Sequence, residues 1–247
     1  MTCALRARDL RFGYAPGAEV LRGLDLTVGH GERVAVLGPN GAGKTTLMLH
    51  LNGILRGAGA LEVAGLAVGP DTLPALRARV GLVFQDPDDQ LFMPTVTDDV
   101  GFGPRNLGLD EAAVTARTAA ALAAVRMEHA AGRAPHQLSM GERRRVAIAG
   151  VRATDPRLLV LDEPSANLDP RARRELLDLL AALGRTQLVV THDLPFAAEL
   201  CERAVILSGG RIAADGPTRA ILADAGLLAR HDLELPAGFD PALVRPR

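Results

Sequence analysis

Positions 38–46 read GPNGAGKTT, the pattern Gly-x-x-x-x-Gly-Lys-Thr. The run follows apolar Val34-Ala35-Val36-Leu37 and precedes the helix-like Leu47-Met48-Leu49-His50-Leu51. That strand–loop–helix setting gives the match its weight. Gly38, Gly41 and Gly43 let the backbone turn its N–H groups inward, and the following helix aims its partial positive end at the same point. The product is a cradle for phosphates, made by Gly38, Pro39, Asn40, Gly41, Ala42, Gly43, Lys44, Thr45 and Thr46. Lys44 is placed to reach β- and γ-phosphates, and the Thr45 hydroxyl to ligate Mg²⁺.

The rest of the chain supplies an α/β frame for that loop. Residues 5–12 alternate like an edge strand, residues 20–28 do the same, and Pro16-Gly17 marks the turn between them. Buried strands are expected at 32–37, 80–84, 158–161, 187–191 and 204–207, with a short one at 61–63. Helical spacing covers 46–55, 111–125, 139–154 and 171–183, the last with Leu176, Leu179, Leu180 and Leu183 on one stripe. Gly209-Gly210 reads as a hairpin turn into 211–214. Strands alternating with helices imply a mostly parallel sheet flanked by helices. The stretch from about 86 to 157 breaks that rhythm with helices alone, and reads as a helical lobe inserted in the core. The tail, 223–247, is weakly patterned and carries Pro236, Pro241 and Pro246.

A chain of 247 residues is long enough for one domain with an inserted lobe. Its hydrophobic fraction is 48% but its aromatic fraction only 3%, which suits an Ala- and Leu-rich α/β protein better than a β-sandwich. A formal net charge of −1 gives no global pull toward nucleic acid. Cys3 and Cys201 make no disulfide framework, so a reducing compartment is expected. The opening MTCALRARDLRF lacks the apolar core of a signal peptide. No apolar run approaches the roughly 18–20 residues that span a bilayer. Membrane service by this chain would need another polypeptide to cross.

Three further motifs and two single residues carry chemistry. Leu158-Leu-Val-Leu-Asp162-Glu163 is a buried strand whose carboxylates emerge at its C-terminal edge, where open α/β sheets bind ligands. Asp162 would hold a Mg²⁺ shell, and Glu163 would polarise the attacking water. Leu138-Ser139-Met140-Gly141-Glu142 has two compatible readings: Ser139 and Glu142 form a helix capping box, and the same helix start, with Gly141, offers free N–H groups to an anion. Thr191-His192-Asp193 ends another strand and places His192 to hydrogen-bond a γ-phosphate. Gln85 ends the strand at 80–84, with an amide oxygen for a metal or water. Tyr14 is either a purine-stacking ring or a partly buried turn aromatic.

In this order the motifs resemble the nucleotide-binding subunit of ATP-binding cassette (ABC) transporters, over roughly residues 5–217. The carriers are Tyr14, GPNGAGKTT at 38–46, Gln85, LSMGE at 138–142, LLVLDEP at 158–164, SANLD at 165–169 and THD at 191–193. The resemblance implies a P-loop NTPase core with an antiparallel β subdomain and an inserted helical subdomain, the ATPase domain filling 1–222. It implies ATP and Mg²⁺ as ligands, with Glu163, His192 and Gln85 catalytic and Thr45, Gln85 and Asp162 around the metal. It further implies a head-to-tail pair of ATPases with two sandwiched ATPs. Ser139 and the N–H groups near Gly141 would complete the γ-phosphate site of the other copy, with Asp169 tying the two sites together. The partners implied are transmembrane coupling and substrate-binding subunits at the cytoplasmic face of the cell membrane, and no nucleic acid.

FQDPDDQLFMPTVTDDVGFGPRNLGL at 84–109 and RRRVAIAG at 143–150 resemble the energy-coupling-factor branch, especially the ATPases of cobalt and nickel importers. Vitamin import shares much of this pattern and stays open. A soluble cassette ATPase, or a P-loop small-molecule kinase, fits the motif set less well. Two positions depart from the family pattern: Met140 stands where glycine is usual, and Glu142 where glutamine is common. Met140 would crowd a close backbone approach if its side chain faced the ligand, and Glu142 would repel phosphates unless turned back into the capping box.

Overall fold

A computed structural model describes residues 3–245 and 247. Strands β1 (Cys3–Gly13) and β2 (Glu19–Gly29) form an antiparallel hairpin. β3 (Arg33–Leu37) then runs into the phosphate loop and α1 (Lys44–Leu51). β4 (Ala58–Val63) returns to pair with the far side of β1, and the two-residue β5 (Leu66–Ala67) follows it. β1 is therefore internal to a four-stranded sheet, not the edge strand its alternation suggested. One buried face produces that alternation whether the strand has one neighbour or two.

α2 (Leu73–Arg79) leads into β6 (Val80–Val83). Between β6 and the next strand lie α3 (Val96–Asn106), α4 (Glu111–Ala124) and α5 (Met140–Ala153). The remaining core is β7 (Leu158–Asp162), α6 (Pro170–Ala182), β8 (Thr186–Val190), α7 (Leu194–Leu200), β9 (Arg203–Ser208) and β10 (Arg211–Pro217). The second sheet has the order β10-β9-β3-β8-β7-β6 and is parallel except for the edge strand β10.

Side-chain alternation splits the core across that sheet. Val34, Val36, Leu158, Val160, Leu188, Val190, Val205 and Leu207 face β1, β2 and α1. Ala35, Leu37, Leu159, Leu161, Val189, Ala204 and Ile206 face α5, α6 and α7. Each fully buried Leu or Val contributes roughly 1.5–3 kcal/mol, so a strand covered on both faces is held as a continuous apolar run.

Five helices, three in the core and lobe and two near the C-terminus, are not read from the sequence. α3 contains Pro104, Gly101 and Gly103 and starts with a polar turn, but Thr95 caps it through the Asp98 N–H at 3.2 Å. α2 and α7 span 7 residues each, too short for a periodic signal. α8 (Thr218–Ala223), just before the tail, adds Ile221 and Leu222 to the core, and the tail itself carries order: α9 (Ala225–Arg230) adds Leu228, and Leu233 follows.

Candidate active site

The loops after β3, β6, β7 and β8 leave the sheet at its C-terminal edge. Gly38 has φ 150°, and a β-carbon there would lie 2.1 Å from the Leu207 carbonyl oxygen, so no other residue fits. Gly43, at φ 105°, gives α1 a start with no side-chain cap, and the first turn carries no acid. The uncapped N–H groups and the helix dipole make this a site for anions. The Lys44 side chain folds back over the loop, and its Nζ donates to the Gly38 and Pro39 carbonyls at 2.7 and 2.9 Å. Burial pushes its pKa down, and the Glu163 and Asp162 carboxylates pull the other way. Ala42 turns inward: its side chain packs in the core, and its N–H donates to the Pro39 carbonyl at 3.3 Å.

Asp162 ends β7 opposite this loop and accepts a hydrogen bond from the Thr45 hydroxyl at 3.2 Å. Burial raises the pKa of its carboxyl above the usual aspartate value, against the Thr45 bond, with the neighbouring Glu163 adding to the rise. Glu163 stands at φ 42°, a backbone state disfavoured for a branched or long side chain. Its Oε2 accepts from the Thr191 hydroxyl at 2.9 Å, and its Oε1 lies 3.0 Å from the His192 N–H and 2.8 Å from His192 Nδ1. Tyr14 is 64% exposed, its hydroxyl 3.2 Å from Thr46 Oγ1 and its ring edge-on to Phe12.

Tyr14, Asn40, Gly41, Gly43, Lys44, Thr45, Thr46, Gln85, Asp162 and Glu163 line one cleft. His192 does not line it but is attached to it through Glu163. Ser139 and Gly141 sit elsewhere, in a second cleft shared with Met140, Glu142 and residues 167–169. The two clefts have no residue in common.

Within the second cleft the capping box is formed. Glu142 N–H reaches Ser139 Oγ at 3.3 Å, and Ser139 N–H reaches Glu142 Oε2 at 2.8 Å. That Ser139 N–H bond lowers the Glu142 pKa, and the carboxylate is bent back onto its own helix end. Gly141 packs against α6: a β-carbon there would lie 3.2 Å from the Ala172 side chain. Asp169 caps α6, accepting from Arg171 and Ala172 N–H groups at 2.8 and 2.9 Å.

Sequence reasoning missed the residues that hold Glu163 and His192 in place. In the sequence Thr191 stands out only as part of the Thr191-His192-Asp193 motif. Asp193 caps α7 through Phe196 N–H at 2.8 Å, accepts from Ser165 Oγ at 2.9 Å and receives Arg173 Nε at 3.1 Å. Burial opposes the Asp193 charge, yet Arg173 and these donors carry its pKa below the usual value. Arg173 lies in the amphipathic pattern of α6, where an arginine reads as a solvated face.

The family profile described as ABC transporter matches residues 21–166. The chain belongs to the ABC transporter family. A putative ABC transporter ATP-binding protein of Streptomyces coelicolor is 58% identical over 243 residues, covering 98% of this chain and 94% of that one. The cobalt import ATP-binding protein CbiO of Rhodobacter capsulatus is 47% identical, covering 100% of this chain and 90% of its own. Among solved structures, CbiO1 of Clostridium perfringens, part of the ABC transporter complex CbiONQ, superposes with a TM-score of 0.83 at 35% identity, covering 96% of this chain and 97% of that one. The chain is thus an ATP-binding ATPase of the ABC transporter family with the mixed α/β fold of that family, and it is similar to proteins named as energy-coupling-factor and cobalt-import ATPases.

Proposed function

We propose that this ABC ATPase hydrolyses Mg²⁺-bound ATP in composite sites formed by two copies, or by one copy and a paralogue, and thereby energises import of cobalt or nickel. The carrying observation is the division of the machinery into two clefts with no common residue, one around Lys44 and one around Ser139. A second chain laid head-to-tail closes each phosphate loop with the other's Ser139 and Gly141, and Asp169 bridges the pair.

In the first cleft the phosphate-loop N–H groups of 38–46 and Lys44 take the triphosphate, releasing the ammonium from the Gly38 and Pro39 carbonyls. Tyr14 stacks on the adenine. The Asp162 carboxylate, the Thr45 hydroxyl and the Gln85 amide oxygen are hard donors in one cleft, the set that Mg²⁺ prefers. No group of three or more His, Cys, Asp or Glu side chains that could hold a metal occurs among the described residues. An ion held largely by phosphate oxygens fits that donor set. When bound, Mg²⁺ would neutralise charge developing on the phosphoryl oxygens. Glu163 orients the attacking water and takes its proton, and His192 hydrogen-bonds the γ-phosphate. Pinning by Thr191 and His192 keeps that carboxylate from turning away.

No helix among the described residues is long and apolar enough to cross a membrane. Transmembrane coupling and substrate-binding subunits would therefore cross the membrane beside this chain, which attaches peripherally at the cytoplasmic face. The segment 85–94 would receive their helices, at the groove lined by Asp89, Gln90, Leu91 and Phe92, where exposed Phe92 and Phe102 are in edge-to-face contact. In domain terms, residues 1–222 form the ATPase unit, 86–157 its helical lobe and 223–247 a tail.

Uptake of radioactive cobalt, nickel and vitamins by a strain lacking this chain tests the reading. Cobalt or nickel uptake should disappear, and return with the native chain but not with Glu163→Gln. Unchanged metal uptake beside a lost vitamin uptake would contradict the cargo assignment.

A further inference from the structure

Arg144 is 1% exposed, among the largest fully buried side chains of the protein. Arginine is almost never fully buried unless paired, yet none of the ion pairs among the described residues includes Arg144. Its guanidinium stays charged, and its buried Nε has no hydrogen-bond partner. Burying a charge without an ion-pair partner carries a desolvation cost that two neutral carbonyls offset only in part, so stability alone does not account for an arginine here.

Its two remaining nitrogens supply the account. Nη1 donates to the Phe84 carbonyl at 3.2 Å, and Nη2 to the Ala166 carbonyl at 3.2 Å. Phe84 directly precedes Gln85. Its N–H is taken by Gln90 Oε1 at 3.3 Å, while Gln90 Nε2 donates to the Ala147 carbonyl of α5 at 3.0 Å. Both polar groups of residue 84 are therefore tied to α5. Ala166 in turn donates its N–H to the Glu163 carbonyl at 3.1 Å, closing the turn that leaves β7. A planar fork can span two carbonyls held on separate loops, which a single ammonium cannot.

We propose that Arg144 is a positioning residue for ATP hydrolysis: from α5, whose first turn carries Ser139, it fixes the main chain beside Gln85 and the turn after Glu163. The helix that closes a neighbour's ATP is thereby locked in register with the water-polarising carboxylate of its own copy. This rests on the assignment of Glu163 above.

The test compares Arg144→Met and Arg144→Lys with the native chain for ATP affinity, kcat, melting, and hydrogen exchange at amides 85–90 and 163–169. Arg144→Met should melt somewhat lower than the native chain, because two carbonyls lose a charged donor, yet bind ATP within about twofold, because the hydrogen bonds of Arg144 go to Phe84 and Ala166 rather than to the phosphate loop. Its kcat should fall by about tenfold or more, and exchange should quicken in both loops. Arg144→Lys, charged but unable to span both carbonyls, should behave like Arg144→Met. Native kcat in Arg144→Met, or full rescue by Arg144→Lys, overturns the proposal. So does a joint loss of ATP binding, turnover and melting temperature in both variants, which would make Arg144 a residue of the fold alone. Native turnover in Glu163→Gln would instead strike the underlying assignment, whatever Arg144 does.

Discussion

His192 Nδ1 lies 2.8 Å from Glu163 Oε1, and the same carboxylate accepts the Thr191 hydroxyl at 2.9 Å. The end of β8 thus holds the end of β7 by its side chains as well as by the sheet ladder. Thr191 is fully buried, and its oxygen also accepts the Asp193 N–H at 3.0 Å. A chain of bonds runs from Arg173 through Asp193 and Thr191 to Glu163.

Thr191→Val removes the hydroxyl while keeping the shape. A hydrogen bond to a charged group contributes roughly 1.5–3 kcal/mol, and the Asp193 N–H loses its acceptor as well. Stability to urea should drop by about that amount, kcat should fall about tenfold, and ATP affinity should hold. Unchanged kcat would show that Glu163 keeps its orientation without this bond.

Lys44→Ala takes the ammonium out of the phosphate cradle. ATP affinity, read by fluorescent-nucleotide titration, should weaken by about tenfold or more, since a charged contact to phosphate is lost. Native affinity would contradict the role given to the loop.

Met140→Gly concerns the cleft around Ser139. The Glu142 carboxylate is already folded into the capping box, which under the proposed head-to-tail pairing leaves Met140 as the side chain to test at the close approach. ATP binding should stay intact and turnover should rise. The helix start should weaken by about 0.5–1 kcal/mol, the usual cost of glycine in a helix. Lost ATP binding in this variant would mean that the segment belongs to the first cleft.

Asp99 predicts a pH dependence. Burial raises its pKa, against hydrogen bonds from the Phe92 and Met93 N–H groups, both at 3.0 Å to Oδ1. The unfolded aspartate ionises near its ordinary value of about 4. Between that pH and the higher folded value, the folded state binds more protons, so stability falls as pH rises through the window. Asp99→Asn should remove this fall while keeping the Oδ1 acceptor. A urea-midpoint series over acid to neutral pH reads it, and an identical slope in the variant would contradict the assignment.

The phosphate loop, the Asp162-Glu163 strand end and the Ser139–Glu142 box were legible because each is local: a spacing of residues within one turn or one strand fixes the geometry. Strand order and the internal place of β1 were not, since pairing partners lie dozens of residues apart. Arg144 and Arg173 were illegible for a related reason. Arginine in an amphipathic helix ordinarily faces solvent, and only tertiary packing turns Arg144 onto two backbone carbonyls. The tail read as weakly patterned because Leu228 and Leu233 reach the core singly, without a period.

The central claim is that a nucleotide held at Lys44 is completed by Ser139 of another copy or a paralogue. The direct measurement is a structure of the Glu163→Gln chain bound to ATP and Mg²⁺. The account predicts a head-to-tail pair, with Ser139 Oγ of one chain in hydrogen-bond range of the γ-phosphate held by the other. An ATP-loaded structure in which Ser139 approaches no nucleotide would contradict it.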